Sequence, residues 1–129
     1  MAVDESVYTV HDAQRCIAMG AADVVNIKVP KCGGIFRCRQ IAELCRASGI
    51  PCFLGGCLET TPGTAAAMHF YAATPGVVSA AEIFGSPFYV DDVVQRAIEA
   101  TDGMAELPHS PGIGVVIDEN KVARFRCRF

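Results

Sequence analysis

Residues 24–56 read VVNIKVPKCGGIFRCRQIAELCRASGIPCFLGG, and this stretch decides the fold. It opens with the β-branched run Val24 to Val29, which reads as a strand. Ile35 to Ala47 then puts Ile35, Cys38, Ile41, Ala42 and Cys45 on one face of a helix, with Gly49 placed to stop it. Pro51 to Leu54 makes the next strand and ends in Gly55-Gly56. Strand, helix and strand in so short a span form a βα unit, and such units build parallel sheets.

The same alternation extends both ways. Upstream, Thr9 caps a helix over Val10 to Met19, Asp12 stands at the N3 position of a capping box, and Gly20 lies just past the end. A strand stub, Met1 to Val3, precedes it and ends at Asp4. Downstream, the pattern predicts a small-residue helix over Gly63 to Ala73, a strand over Val77 to Ala80 and a helix over Asp91 to Ala100. After Gly103 the character changes. Pro108, Pro111, Gly112 and Gly114 lead into Val115 to Ile117, a turn at Asp118 to Lys121, and Val122 to Phe125, which reads as an extended crossover with a hairpin. The expected division is therefore 1–102 for the βα array and 103–129 for the tail.

Composition narrows the class. Of 129 residues, 51% are hydrophobic and 19% charged, enough apolar side chain for one sizeable core. Eleven Lys and Arg against fourteen Asp and Glu leave a net charge of −3, which argues against a protein that neutralises nucleic-acid phosphates. Apolar runs fall short of the ~20 residues needed to span a bilayer. No charged n-region followed by an apolar h-region opens the chain, so the expectation is a cytoplasmic protein. The seven cysteines are odd in number and contain no CxxC pair, and they are expected as reduced thiols packed in a core.

The chemistry-bearing residues recur at strand ends. Lys28, Gly55 and Glu82 fall 27 residues apart, and Asp4 lies 24 before Lys28, close to one βα unit each time. In a (β/α) barrel, strand C-termini are where active sites are built, so these residues would converge on one pocket. Asp4 and Glu5 together offer oxygen ligands to a hard divalent cation, or else are a solvated acidic start to a helix. Lys28, in an otherwise apolar strand, has a carboxylate partner or a task, or else merely ends the strand and snorkels outward. Near a metal and other cations its pKa would fall toward the range useful for proton transfer. Lys31, beside Pro30 and Gly33-Gly34, reads as an ordinary solvated loop lysine. Gly55-Gly56 leaves the backbone free to approach a ligand, with Glu59 three residues beyond. Glu82 sits in apolar company and would have its pKa raised if desolvated, or is a salt-bridged or capping glutamate. His11, His69 and His109 are not spaced as ligands.

Taken in order, Asp4-Glu5-Ser6, Asn26-Ile27-Lys28 leading to Lys31-Cys32-Gly33-Gly34, Gly55-Gly56-Cys57-Leu58-Glu59, Ala81-Glu82-Ile83-Phe84-Gly85 and Pro111-Gly112-Ile113-Gly114-Val115 resemble the C-terminal half of the mandelate racemase and muconate lactonizing group of the enolase superfamily. The Ala-Glu-Ile-Phe-Gly stretch is most similar to muconate and chloromuconate cycloisomerases. The resemblance implies an α/β fold, the C-terminal half of a TIM-type (β/α) barrel (strands five to eight), with the tail returning as an extended hairpin to a capping domain. It implies Asp4 as a ligand of Mg or Mn, Lys28 and Glu82 as catalytic residues, and Gly55, Gly56 and Glu59 as substrate-binding residues.

The departures are as informative. The group's second-strand Lys-x-Lys pair and two further metal ligands have no counterpart here, so the chain resembles half an active site. The function implied is the C-terminal portion of a metal-dependent cycloisomerase that acts on a muconate-type dicarboxylate through an enolate-like intermediate. The isolated chain is expected to be inactive. Two alternatives stay open: a racemase or epimerase in which Lys28 is one of two bases, and a non-catalytic half-barrel that folds by association. The expected partners are a small carboxylate substrate and either the missing N-terminal half or another copy in a homo-oligomer.

Overall fold

The computed structural model describes residues 1–78 and 81–127. Three short strands, β1 (Ala2–Val3), β2 (Val24–Ile27) and β3 (Cys52–Leu54), form a parallel sheet in the order β1-β2-β3. Helix α1 (Val10–Ala18) joins β1 to β2, and α2 (Ile35–Ala47) joins β2 to β3. Beyond β3, α3 (Thr61–Ala72) leads to two parallel bridges, Cys52 with Val77 and Gly55 with Glu82, which continue the sheet on the free side of β3. The strand expected over Val77 to Ala80 is met only by the first of these bridges, because Ser79 and Ala80 lie outside the described residues.

Local chemistry explains these elements. Thr9 and Asp12 form the expected capping box, each side chain bonding the other's backbone N–H at 3.2 and 2.9 Å, and Gly20 adopts φ +60° beyond the helix end. The face of α2 read from the sequence is the buried one: Cys38, Ile41, Ala42 and Cys45 pack with Val25, Ile27, Cys52 and Leu54 in a single core. All seven cysteines are free thiols, four of them (Cys32, Cys38, Cys45 and Cys52) buried. A hydrogen-bonded thiol neighbour, Cys32 for Cys38 and Cys45 for Cys52, and then burial push both upward from the ordinary thiol range, which keeps both protonated. Among the described residues no helix is long and apolar enough to cross a membrane.

Two expectations fail in the second half. Residues 91–100 are not helical. Asp92 is instead buried as an acceptor, its Oδ2 taking the Thr61 N–H at 2.9 Å and the Thr61 hydroxyl at 2.8 Å at the start of α3. Val94 pairs antiparallel with Ile117, and Gln95 N donates to Val116 O at 3.0 Å. Tertiary pairing of a Val-rich segment has overridden its helical spacing. Conversely, the hairpin's second arm is a helix, α4 (Glu119–Phe125). Asp118 does not open a turn; it caps α4, accepting from Asn120 N at 3.0 Å and Lys121 N at 3.2 Å. Lys121 then pairs with Asp91 at 2.8 Å, which ties the tail to the segment after the 3-10 turn Ser86–Phe88.

Candidate active site

The parallel register sets which side chains share a face. Val25 and Ile27 point into the helix-covered core, so Asn26 and Lys28, one residue out of step, take the opposite face. Asp4 ends β1 beside them. Its Oδ2 accepts from Lys28 Nζ at 2.8 Å and from Asn26 Nδ2 at 3.0 Å, and its Oδ1 accepts from Lys31 Nζ at 2.9 Å. Lys28 also reaches Glu5 at 3.3 Å. Lys28 therefore has the carboxylate partners that a lysine in an apolar strand calls for.

Lys31 is the residue that sequence reasoning misjudged. Its side chain is 4% exposed, and beyond Asp4 Oδ1 its ammonium donates to the carbonyls of Asp4 at 2.7 Å and Asn26 at 2.9 Å. The cause is a tight turn in which Cys32 N bonds Lys28 O and Gly34 N bonds Val29 O, both at 2.9 Å, folding the side chain back under the strand ends. Asn26, present in the sequence reading only within the Asn26-Ile27-Lys28 stretch, is given no role there. The available signal was its place two residues before Lys28 in an otherwise apolar strand, which puts both on one face.

A cavity of about 560 Å³ lies over this cluster. Asp4, Asn26, Lys28, Gly55, Gly56, Glu59 and Glu82 line it together with the apolar Leu58, Phe84 and Phe88. All six residues singled out from the sequence thus meet at one place. Their settings differ from expectation in three respects. Gly55 and Gly56 give room to protein groups: a Cβ on Gly55 would lie 2.7 Å from Asn26 Oδ1, and one on Gly56 2.8 Å from Glu59 Oε2. Glu59 turns one oxygen to Cys57 N at 2.9 Å, while the other is buried without a hydrogen-bond partner. Glu82 is exposed, so the desolvation that its apolar neighbours suggested is absent. His69 lies outside the cluster and meets the tail at Ile113 O, 3.3 Å away.

The electrostatics follow from the same contacts. The Asp4 hydrogen bond holds the Lys28 ammonium well above lysine's usual range against the downward pull of partial burial, and Glu5 adds to it. For Asp4 itself burial acts upward, but the bonds from Lys28, Lys31 and Asn26 outweigh it and keep the carboxyl below its usual range. With Asp4 and Glu5 as its partners, Lys28 is favoured in its ammonium form.

A divalent cation asks for about six oxygen ligands. Among the described residues no group of three or more His, Cys, Asp or Glu side chains could hold one, and both oxygens of Asp4 are already bonded to ammonium or amide groups. The residues of this chain alone do not fit such an ion.

Residues 1–121 match the family model described as enolase C-terminal domain-like. The chain belongs to that family. Muconate cycloisomerase 1 of Rhodococcus opacus is 40% identical over 119 residues, covering 92% of this chain and 32% of the relative. N-succinylamino acid racemase of Thermus thermophilus is 34% identical over 114 residues, 88% of this chain and 31% of the relative. The crystal structure of 2-chloromuconate cycloisomerase from Rhodococcus opacus 1CP superimposes with a TM-score of 0.92 at 33% identity, covering 98% of this chain and 34% of that one. This enolase C-terminal domain-like chain spans about a third of the length of the curated relatives it matches.

Proposed function

We propose that the chain is the C-terminal third of a cycloisomerase that acts on a muconate-type dicarboxylate, and that it contributes strands five to eight of a (β/α) barrel with the tail 103–129 reaching a capping domain. The observation that carries this reading is the Asp4, Asn26, Lys28 and Lys31 network at the C-terminal ends of parallel strands, opening on a cavity that Glu82 and Glu59 also line. Lys28 donates to a carboxylate or developing enolate oxygen of the substrate. Asp4, Asn26 and Lys31 fix the donor's position, so little reorganisation is needed as charge develops. Glu82, on the neighbouring parallel bridge, lines the same cavity and would face the intermediate together with Lys28, from the side opposite a lysine pair outside these residues. In the complete enzyme Asp4 would be the one oxygen ligand this chain offers a Mg or Mn ion, giving up a lysine or amide contact to do so, with the other ligands outside these residues.

A racemase or epimerase is the second reading, favoured by the similarity to an N-succinylamino acid racemase. It would use Lys28 as one of two bases, where the cycloisomerase reading uses it as a donor. A chimera decides between them: muconate cycloisomerase 1 of Rhodococcus opacus with its matching third replaced by this chain. The expected result is turnover of cis,cis-muconate and no racemisation of an N-succinylamino acid; the reverse pattern overturns the proposal.

A further inference from the structure

Leu58, in the loop between β3 and α3, has φ +59°, the left-handed region that a branched side chain avoids. Such strain persists only where the surroundings enforce it. Two contacts do so here. The Tyr89 hydroxyl donates to the Leu58 carbonyl. Gly85 lies against the same peptide, so closely that a Cβ on it would overlap Leu58 C and Glu59 O and sit 2.7 Å from Glu59 N. Ordinarily a leucine held in this way would be filling a core. Leu58 is instead 55% exposed, and it lines the same cavity as Lys28, Phe84 and Phe88.

We propose that Leu58 is a specificity-determining residue: the Tyr89 and Gly85 clamp presents its isobutyl group as an apolar wall for the carbon skeleton of a carboxylate substrate whose charged end meets Lys28. This rests on the reading of the cavity as a carboxylate site. The clamp accounts for what a simple loop does not, namely strain maintained for an apolar group that lines the cavity. It also makes Tyr89 a positioning residue, since it acts through Leu58.

The test uses the full 129-residue chain, with thermal unfolding and methyl NMR titrations of cis,cis-muconate, benzoate and acetate. Leu58→Gly relieves the backbone and is expected to raise Tm by about 3 °C. The same variant should weaken muconate about fivefold and leave acetate unchanged. Leu58→Asn, which also tolerates the left-handed region, should repeat the loss. Tyr89→Phe should lower Tm and weaken muconate as much as Leu58→Gly does. Strain held for binding is thereby separated from a structural role, which would not move stability and affinity in opposite directions. A Leu58→Gly chain that is less stable, or that binds muconate as tightly as the parent, overturns the inference. If the parent binds benzoate but not muconate, and Leu58→Gly weakens benzoate, the wall stands and the dicarboxylate reading falls. If the parent binds none of the three, both fall.

Discussion

Replacing Lys31 by Met keeps the aliphatic stem and removes the ammonium, which makes it a sharp probe of the Asp4 cluster. The Lys31 side chain is 4% exposed and its Nζ makes three bonds, to Asp4 Oδ1 at 2.9 Å, Asp4 O at 2.7 Å and Asn26 O at 2.9 Å. The charge-assisted bond is worth about 2 kcal/mol, and two partly dehydrated carbonyls left without their donor add roughly 1 kcal/mol between them. Asp4 keeps Lys28 and Asn26, so the total stays near 3 kcal/mol, at the lower end of the cost of breaking a buried pair. With a urea slope of ~2 kcal/mol/M, the midpoint of unfolding should fall by about 1.5 M. Lys28→Met should cost less, about 1 kcal/mol, because Asp4 retains Lys31 and because Glu5, the other partner, is 69% exposed. The readout is a pair of urea titrations followed by far-UV circular dichroism. Lys28→Met proving the more damaging of the two, or Lys31→Met shifting the midpoint by under ~0.5 M, would refute the reasoning.

Three other outcomes are expected. Asp92→Ala strips the acceptor from both the N–H and the hydroxyl of buried Thr61 at the start of α3, and should lower stability by about 2 kcal/mol, with Asp92→Asn milder; equal denaturation midpoints for the two variants would contradict this assignment. The hydrogen bond from Lys121 holds the Asp91 carboxyl below its ordinary range, so its contribution is present above about pH 4 and is lost as pH falls through the lowered folded value. Asp91→Asn should accordingly flatten the acid side of a Tm-against-pH curve, and an unchanged acid slope would count against the pair. β1 is an outer strand of the described sheet, and Phe36, Phe88 and Val90 are exposed, so sedimentation at micromolar concentration should find self-association through this apolar surface; a single monomeric species would speak against it.

What could be read from the sequence was whatever rests on local pattern. The bounds of α2 followed from its apolar face, and the Thr9 and Asp12 capping box needed only residues three apart. The convergence of Asp4, Lys28, Gly55 and Glu82 followed from spacing, because each parallel βα unit returns the chain to the same edge. What resisted reading depended on contacts between distant segments. The 91–100 segment has helical spacing, but Asp92 is drawn to Thr61 and Val94 to Ile117, partners 31 and 23 positions away. Asp118 suits a turn and a helix cap equally well, and only the pairing of Lys121 with Asp91 distinguishes them. Lys31 was misread because a loop lysine carries no local sign that its turn will fold it inward.

The central claim, that Lys28 acts as a fixed cationic donor to the substrate, is tested most directly by kcat for cis,cis-muconate in the chimeric enzyme with Lys28→Met. Removing one preorganised donor should lower kcat by about a hundredfold or more while the folded chimera persists. A folded Lys28→Met chimera that turns over muconate at the parent rate would contradict it.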